Sequence, residues 1–207
     1  MAGTEAVVFD IGRVLLGWNP EAFYERLMPR EARLRMFAET GIEAMNLGVD
    51  RGAPLLASVR DLAAKHPEWA DMIVHWHDSW GEMIGPEIGH SVRLLHALKA
   101  KGVPVFALTN FGDETYDIAR GRYPFLDDFD RAYVSARLRV IKPEARIYEI
   151  VEEDCGIPPS RLLFTDDKAE NIDAAAARGW ATHLFETPEG LAARLVAEGL
   201  LSVEEAA

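Results

Sequence analysis

The sequence predicts an α/β fold: a Rossmann-like parallel sheet of about five strands with helices on both faces, plus an α-helical cap inserted after the first strand. Three observations predict it. Five short β-type runs stand at 6–9, 103–108, 132–135, 162–165 and 181–185. Helix-like segments at 113–122, 144–155 and 169–178 separate the later runs, and strands alternating with helical patterns build parallel βαβ crossovers. Between the first and second runs lies a stretch too long for a loop that holds several amphipathic segments.

The first run, Ala6-Val7-Val8-Phe9, is apolar throughout and ends in Asp10, with Gly12 two residues on. That pattern reads as a buried parallel strand emptying into a loop at the carboxyl edge of a sheet, where open α/β proteins place their ligands. From about Trp18 to Pro86 no convincing strand is read. Amphipathic segments occupy 20–27, 30–40, 54–65 and 68–83, with breaks at Pro29, Gly41, Gly48, Gly52 and Pro67. A single crossover needs only a dozen or so residues, so the stretch is expected to be a helical subdomain. The expected division is a core of residues 1–16 and 87–207 and a cap of residues 17–86. In the second half, Gly102, Gly156 and Gly179 each follow a helical pattern, as helix-terminating glycines do.

Four polar motifs fall at strand ends or at a helix start. Asp10 follows the first strand, Thr109-Asn110 the second and Asp166-Asp167 the fourth, while Lys142-Pro143 precedes the helix beginning near Glu144. In a parallel sheet these strand ends share one edge, so residues distant in sequence converge. Together they offer a carboxylate nucleophile, a hydroxyl and an amide for an anion, a fixed cation, and two carboxylates for a divalent metal. Phosphoryl transfer to an aspartate needs such a set, because it depends on positioning and on neutralising charge over the phosphoryl oxygens. Mg²⁺ takes oxygen ligands, and Asp10, one or both of Asp166 and Asp167, and a backbone carbonyl would fill part of its octahedron. Lys142 would neutralise the Asp10 side chain and the bound phosphate.

Blander readings exist for each. Asp10 could cap a helix, Thr109-Asn110 could be turn chemistry, Lys142 a surface lysine and Asp166-Asp167 an acidic cap. Adjacent carboxylates repel unless a cation or hydrogen bonds compensate, which favours the metal reading. His75-Trp76-His77 reads as partly buried surface of the helical segment, since residues two apart point to different helix faces. Trp18, Trp76 and Trp80 read as core residues, and Glu152-Glu153-Asp154 as a solvated helix face.

FDIG (9–12), LTN (108–110), KPEARIY (142–148) and FTDDKAEN (164–171), in this order and spacing, resemble the haloacid dehalogenase superfamily of hydrolases. The closest resemblance is to its phosphatase-like subgroup with a D-x-G-N-V first motif and a tryptophan-asparagine-proline segment, here Asp10-Ile11-Gly12-Arg13-Val14 and Trp18-Asn19-Pro20. The resemblance implies Asp10 as the nucleophile that becomes an aspartyl-phosphate and Lys142 as the charge-neutralising lysine. It implies Thr109 and Asn110 on the phosphoryl oxygens, and Asp10, the Gly12 backbone carbonyl, Asp166 and Asp167 around Mg²⁺. Two positions depart from the pattern. Gly12 stands where the common phosphatases carry an aspartate acid–base, help worth on the order of 10²–10⁴-fold. Arg13 stands where the subgroup carries Asn, and it is a candidate substrate contact.

The expected function is a Mg²⁺-dependent phosphatase of a small phosphorylated metabolite such as a sugar phosphate. The alternatives are a 2-haloacid dehalogenase, in which the same aspartate attacks carbon without a metal, and a non-catalytic phospho-ligand binder. The formal net charge of −12 and the lack of a Lys/Arg cluster disfavour nucleic acid and anionic lipid as partners. No apolar run is long enough to span a bilayer, and Met1-Ala2-Gly3-Thr4-Glu5 lacks the start of a signal peptide. The lone Cys155, beside Glu153 and Asp154, excludes an internal disulfide and points to a cytoplasmic protein. A homodimer stays open.

Overall fold

Val7 and Phe9 pack into one apolar cluster, while Ala6 and Val8 pack into another. Side chains alternate across a strand, so a run that is apolar at every position has both faces covered. The computed structural model, which describes residues 3–207, shows what covers them; Met1 and Ala2 lie outside the described residues.

The chain begins with β1 (Ala6–Phe9) and β2 (Leu16–Trp18). Six helices follow: α1 (Pro20–Glu25), α2 (Arg30–Thr40), α3 (Ile42–Asp50), α4 (Leu55–Lys65), α5 (Ala70–Asp78) and α6 (Trp80–Met83). The remainder runs β3 (Ile84–Glu87), α7 (Gly89–Ala100), β4 (Val105–Thr109), α8 (Asp113–Arg122), β5 (Arg131–Val134), α9 (Ser135–Leu138), α10 (Ala145–Cys155), β6 (Leu162–Asp166), α11 (Ala169–Ala177), β7 (Ala181–Leu184) and α12 (Pro188–Ala197). Five strands form one sheet in the order β5-β4-β1-β6-β7, and every pairing in it is parallel. Leu94, Leu95 and Leu98 of α7 and Leu191 and Leu195 of α12 pack on one face, and Ile147, Tyr148 and Val151 of α10 on the other. The predicted α/β sheet with helices on both faces is the observed one.

β1 is the central strand, and the chain winds outward from it in both directions. That makes its carboxyl end a topological switch point, where the crossovers diverge and leave a crevice. Registers Phe9↔Thr165 and Phe9↔Ala107 bring the ends of β1, β6 and β4 level.

The expectation of no strand between Trp18 and Pro86 needs correction. β2 and β3 form an antiparallel ribbon, with Leu16↔Glu87 and Trp18↔Ile84 in register, and all six of the first helices lie between its two strands. The ribbon is three and four residues long and carries Gly17, Gly85 and Pro86, so it has no period-2 apolar signal to read. Gly17 is there because the two backbones touch: a Cβ at Gly17 would lie 2.7 Å from the Gly85 carbonyl oxygen. Helix α3 is a second element absent from the predicted set; Gly48 lies within it and not between elements.

Candidate active site

The ends of β1, β4 and β6 and the loop before α10 deliver the polar groups to the crevice. The backbone N–H of Asp10 still donates to the Thr165 carbonyl (2.9 Å), which fixes Asp10 as the first residue beyond the ladder. The N–H groups of Val14, Leu15 and Leu16 then converge on the Ile11 carbonyl, so the chain turns at once and leaves the Asp10 carboxylate at the sheet edge.

Lys142 is buried, and its three ammonium protons match three acceptors: Asp10 Oδ1 (2.8 Å), Asp166 Oδ2 (2.6 Å) and the Leu108 carbonyl (2.7 Å). Burial alone would favour its neutral form, but Asp10 and Asp166 outweigh it and hold the ammonium above its usual range. Burial pushes the Asp10 carboxyl up to about 6, and Lys142 opposes that rise. Lys142 thus favours the ionised form of Asp10, the form in which a carboxylate can act as a nucleophile.

Asp166 and Asp167 are adjacent but stand in different surroundings. Asp166 is fully buried. Its Oδ1 accepts from the Lys168 N–H (2.8 Å) and Asn171 Nδ2 (3.0 Å), and its Oδ2 from Asn171 Nδ2 (2.9 Å) and Lys142. Asp167 is only partly buried and lines the same cavity as Asp10. Burial first, and then the Asp166 charge, raise its carboxyl above the usual range, and Arg13 opposes the rise. Carboxylate oxygens of Asp10, Asp166 and Asp167 all lie within 4.8 Å of one another. Three carboxylates against one ammonium leave uncompensated negative charge on hard oxygen donors, and a divalent cation fits that donor set.

Asn110 turns out to brace Lys142. Its Oδ1 accepts from the Lys142 N–H (2.8 Å) and its Nδ2 donates to the Lys142 carbonyl (3.0 Å), a two-point clamp across 32 residues of sequence. Thr109, Gly12 and Arg13 join Asp10, Asn110, Lys142 and Asp167 around one cavity of about 260 Å³. Arg13 adopts a left-handed φ of 59°, and its guanidinium reaches to 3.9 Å from Asp167 Oδ2.

A model of the haloacid dehalogenase-like hydrolases matches residues 4–179. The chain belongs to this family. Within it, the chain is similar to a sesquiterpene phosphatase of Aspergillus oryzae, 26% identical over 189 residues that cover 84% of this chain and 86% of the relative. In fold it is similar to a haloacid dehalogenase family enzyme of Bacteroides thetaiotaomicron solved with magnesium and inorganic phosphate. That likeness has TM-score 0.68 at 22% identity, covering 89% of this chain and 96% of that one. It also resembles in fold the L-2-haloacid dehalogenase of Xanthobacter autotrophicus, with TM-score 0.63 at 21% identity, covering 98% of this chain and 86% of that one.

For this haloacid dehalogenase-like hydrolase the structure also redraws two expectations. Trp76 and Trp80 are core as expected, whereas Trp18 is only partly buried and lines the cavity with Trp80, Leu47, Ile84 and Phe111. Glu152 is no solvated acid: it pairs with Arg178 (2.7 Å) and accepts from Trp180 Nε1 (2.7 Å). Asp50 and Asn46 of α3 face the cavity, and sequence reasoning missed both. An isolated acid and amide on a helix carry no motif; only the fold brings them to the cavity that Asp10 lines. No helix among the described residues is long and apolar enough to cross a membrane.

Proposed function

We propose that this hydrolase is a cytoplasmic, Mg²⁺-dependent phosphatase of small phosphorylated metabolites that works through an aspartyl-phosphate on Asp10. The observation that carries the reading is the buried Lys142 ammonium, bonded at once to Asp10 and Asp166, with Asp167 open to the same cavity. Asp10 attacks phosphorus in line, the alcohol leaves, and water hydrolyses the acyl phosphate. Lys142 offsets the charge that gathers on Asp10 and the phosphoryl oxygens, and Asn110 holds Lys142 in register for that role. Thr109 and the backbone after it bind the phosphoryl oxygens, and Arg13 reaches toward the substrate from the rim.

Asp10, Asp167 and the Gly12 carbonyl would hold Mg²⁺ directly, while Asp166, whose oxygens are taken, anchors Lys142 and the turn carrying Asp167. Bound there, the cation would neutralise phosphoryl oxygens and orient the ester. The helices α1–α6 act as a cap that closes over the ester and excludes water. Carbon attack by a dehalogenase has no use for a second open carboxylate such as Asp167 beside an anionic substrate.

The test is a screen of p-nitrophenyl phosphate, sugar phosphates and isoprenyl monophosphates with Mg²⁺ or with EDTA. Isoprenyl esters join the panel because of the aromatic wall and the sesquiterpene phosphatase relative. Hydrolysis should require Mg²⁺, and Asp10→Asn should lower it on the order of 10⁴-fold. Chloride release from 2-chloropropionate that persists in EDTA would replace this reading with the dehalogenase one.

A further inference from the structure

Hydrolysis of an alkyl phosphate expels a poor leaving group, so a proton must reach the ester oxygen as the P–O bond breaks. Gly12 has no side chain to supply it. The cavity contains two acids that none of the assignments above uses, Glu43 and Asp50.

Asp50, the last residue of α3, lines the cavity with Asp10, Thr109, Lys142 and Asp167. It comes from the helical segment and not from the strand ends. A group attacked in line from Asp10 departs on the side of phosphorus away from that carboxylate. The Asp50 carboxyl is aimed by a chain of bonds: Trp76 Nε1 donates to Asn46 Oδ1 (2.9 Å), which turns Asn46 Nδ2 toward Asp50 Oδ2 (3.2 Å). Its main chain is tied to the core through one hydroxyl. Ser135 Oγ donates to the Asp50 carbonyl (2.6 Å) and accepts from the Phe111 N–H (2.9 Å), in the loop that follows Thr109. Close packing at Gly112, where a Cβ would fall 2.6 Å from Val49 Cγ1, sets the same register.

Resting on the phosphatase reading, we propose that Asp50 protonates the leaving oxygen and then serves as base for the attacking water. In the first step the Asp10–P bond forms, the ester P–O bond breaks, and the Asp50 proton moves to the departing oxygen. In the second, a water oxygen bonds to phosphorus, the Asp10–P bond breaks, and the water's proton returns to Asp50. The electrostatics suit the role. Burial pushes the Asp50 carboxyl up to about 7; Lys168, the Gly112 amide and Lys142 oppose the rise, and the Asp10 charge reinforces it. A general acid serves best with its pKa near the working pH. Glu43, the other acid that this helix turns to the cavity, is exposed at the opposite end of α3.

The experiment compares kcat/KM of the Mg²⁺-loaded wild type, Asp50→Asn, Asp50→Glu and Glu43→Gln over monoesters from p-nitrophenyl to alkyl phosphates. Asp50→Asn should lose about 10²–10⁴-fold on alkyl esters and far less on p-nitrophenyl phosphate, whose phenolate leaves without a proton. Asp50→Glu should recover part of the loss. The wild-type kcat/KM for alkyl esters should fall as pH rises through neutrality, because Asp50 must be protonated, and that limb should be absent in Asp50→Asn. Equal losses on all esters, no loss, or a leaving-group effect that follows Glu43→Gln instead would overturn the assignment of Asp50 alone. A wild type inactive on every ester would overturn the phosphatase reading beneath it.

Discussion

The backbone at position 12 does not demand glycine. Its φ lies outside the left-handed region, and a Cβ built there meets nothing within 4 Å. Neither conformation nor Cβ contact therefore explains Gly12, which stands on the cavity wall. We expect Gly12→Asp to leave the fold intact, with a melting temperature close to wild type when Mg²⁺ compensates the added charge. It should raise kcat on alkyl phosphates, and in an Asp50→Asn background it should return at least about 10-fold of the lost rate, within the range general acids supply. Kinetics of the double variant check this; no recovery would mean that position 12 cannot reach the leaving oxygen. Arg13, next in the chain, is the contrasting case. Its left-handed φ is unfavourable for a side chain, and its guanidinium spans from the Trp18 carbonyl toward Asp167.

Among the elements, the strands that deliver the site were legible and those that frame it were not. AVVF followed by Asp10 announces itself, because a strand buried on both faces is apolar at every position and its terminal acid stands alone. The β2–β3 ribbon leaves no such mark. Its partners lie some seventy residues apart, and glycine and proline hold its middle, where backbone approach matters and side chains do not. Yet this ribbon places Trp18 and Ile84 on the cavity wall. Gly17→Ala should therefore destabilise the protein by about 1–3 kcal/mol, since backbone atoms cannot give way as a flexible side chain would. It should raise KM as Trp18 shifts. Gly48→Ala in α3 is the internal control: a Cβ there meets nothing within 4 Å, and the change should stabilise by about 0.5–1 kcal/mol. Urea titrations of both variants decide the point; equal and opposite-to-expected shifts would mean that the ribbon is not close-packed in solution.

At the scale of the whole molecule, topology makes the site legible and charge makes it conditional. Asp10, Thr109, Lys142 and Asp166-Asp167 could be predicted to converge because parallel strands share one carboxyl edge. Asn110 as a clamp and Asp50 as a cavity-lining acid depend on side-chain contacts across 32 residues and across the helical segment, which no spacing rule encodes.

The assembled site is electrostatically costly without a cation. Asp10, Asp50 and Asp167 all have carboxyls raised above their ordinary values, the first two to about 6 and about 7. For an acid, a folded-state pKa above the unfolded one means that the native state binds more protons in between. Stability then falls as pH rises through that window. The raised Lys142 does not alter the trend, because its contribution is fully present below its unfolded value. Glu152 and Asp154, both lowered, act only at more acidic pH, and His183, lowered by burial, opposes the trend as one group against three. Chelated protein should thus melt at a higher temperature at pH 5 than at pH 8. Mg²⁺ should reverse this by binding the native state alone: at a hundred times its Kd it adds about 2.7 kcal/mol, or about 5–10 °C for a chain of this size. The gain should be largest at pH 8 and largely absent in Asp167→Asn. Calorimetry across pH, with Mg²⁺ or EDTA, measures both terms. A pH-independent melting temperature, or a Mg²⁺ shift undiminished in Asp167→Asn, would place the cation elsewhere.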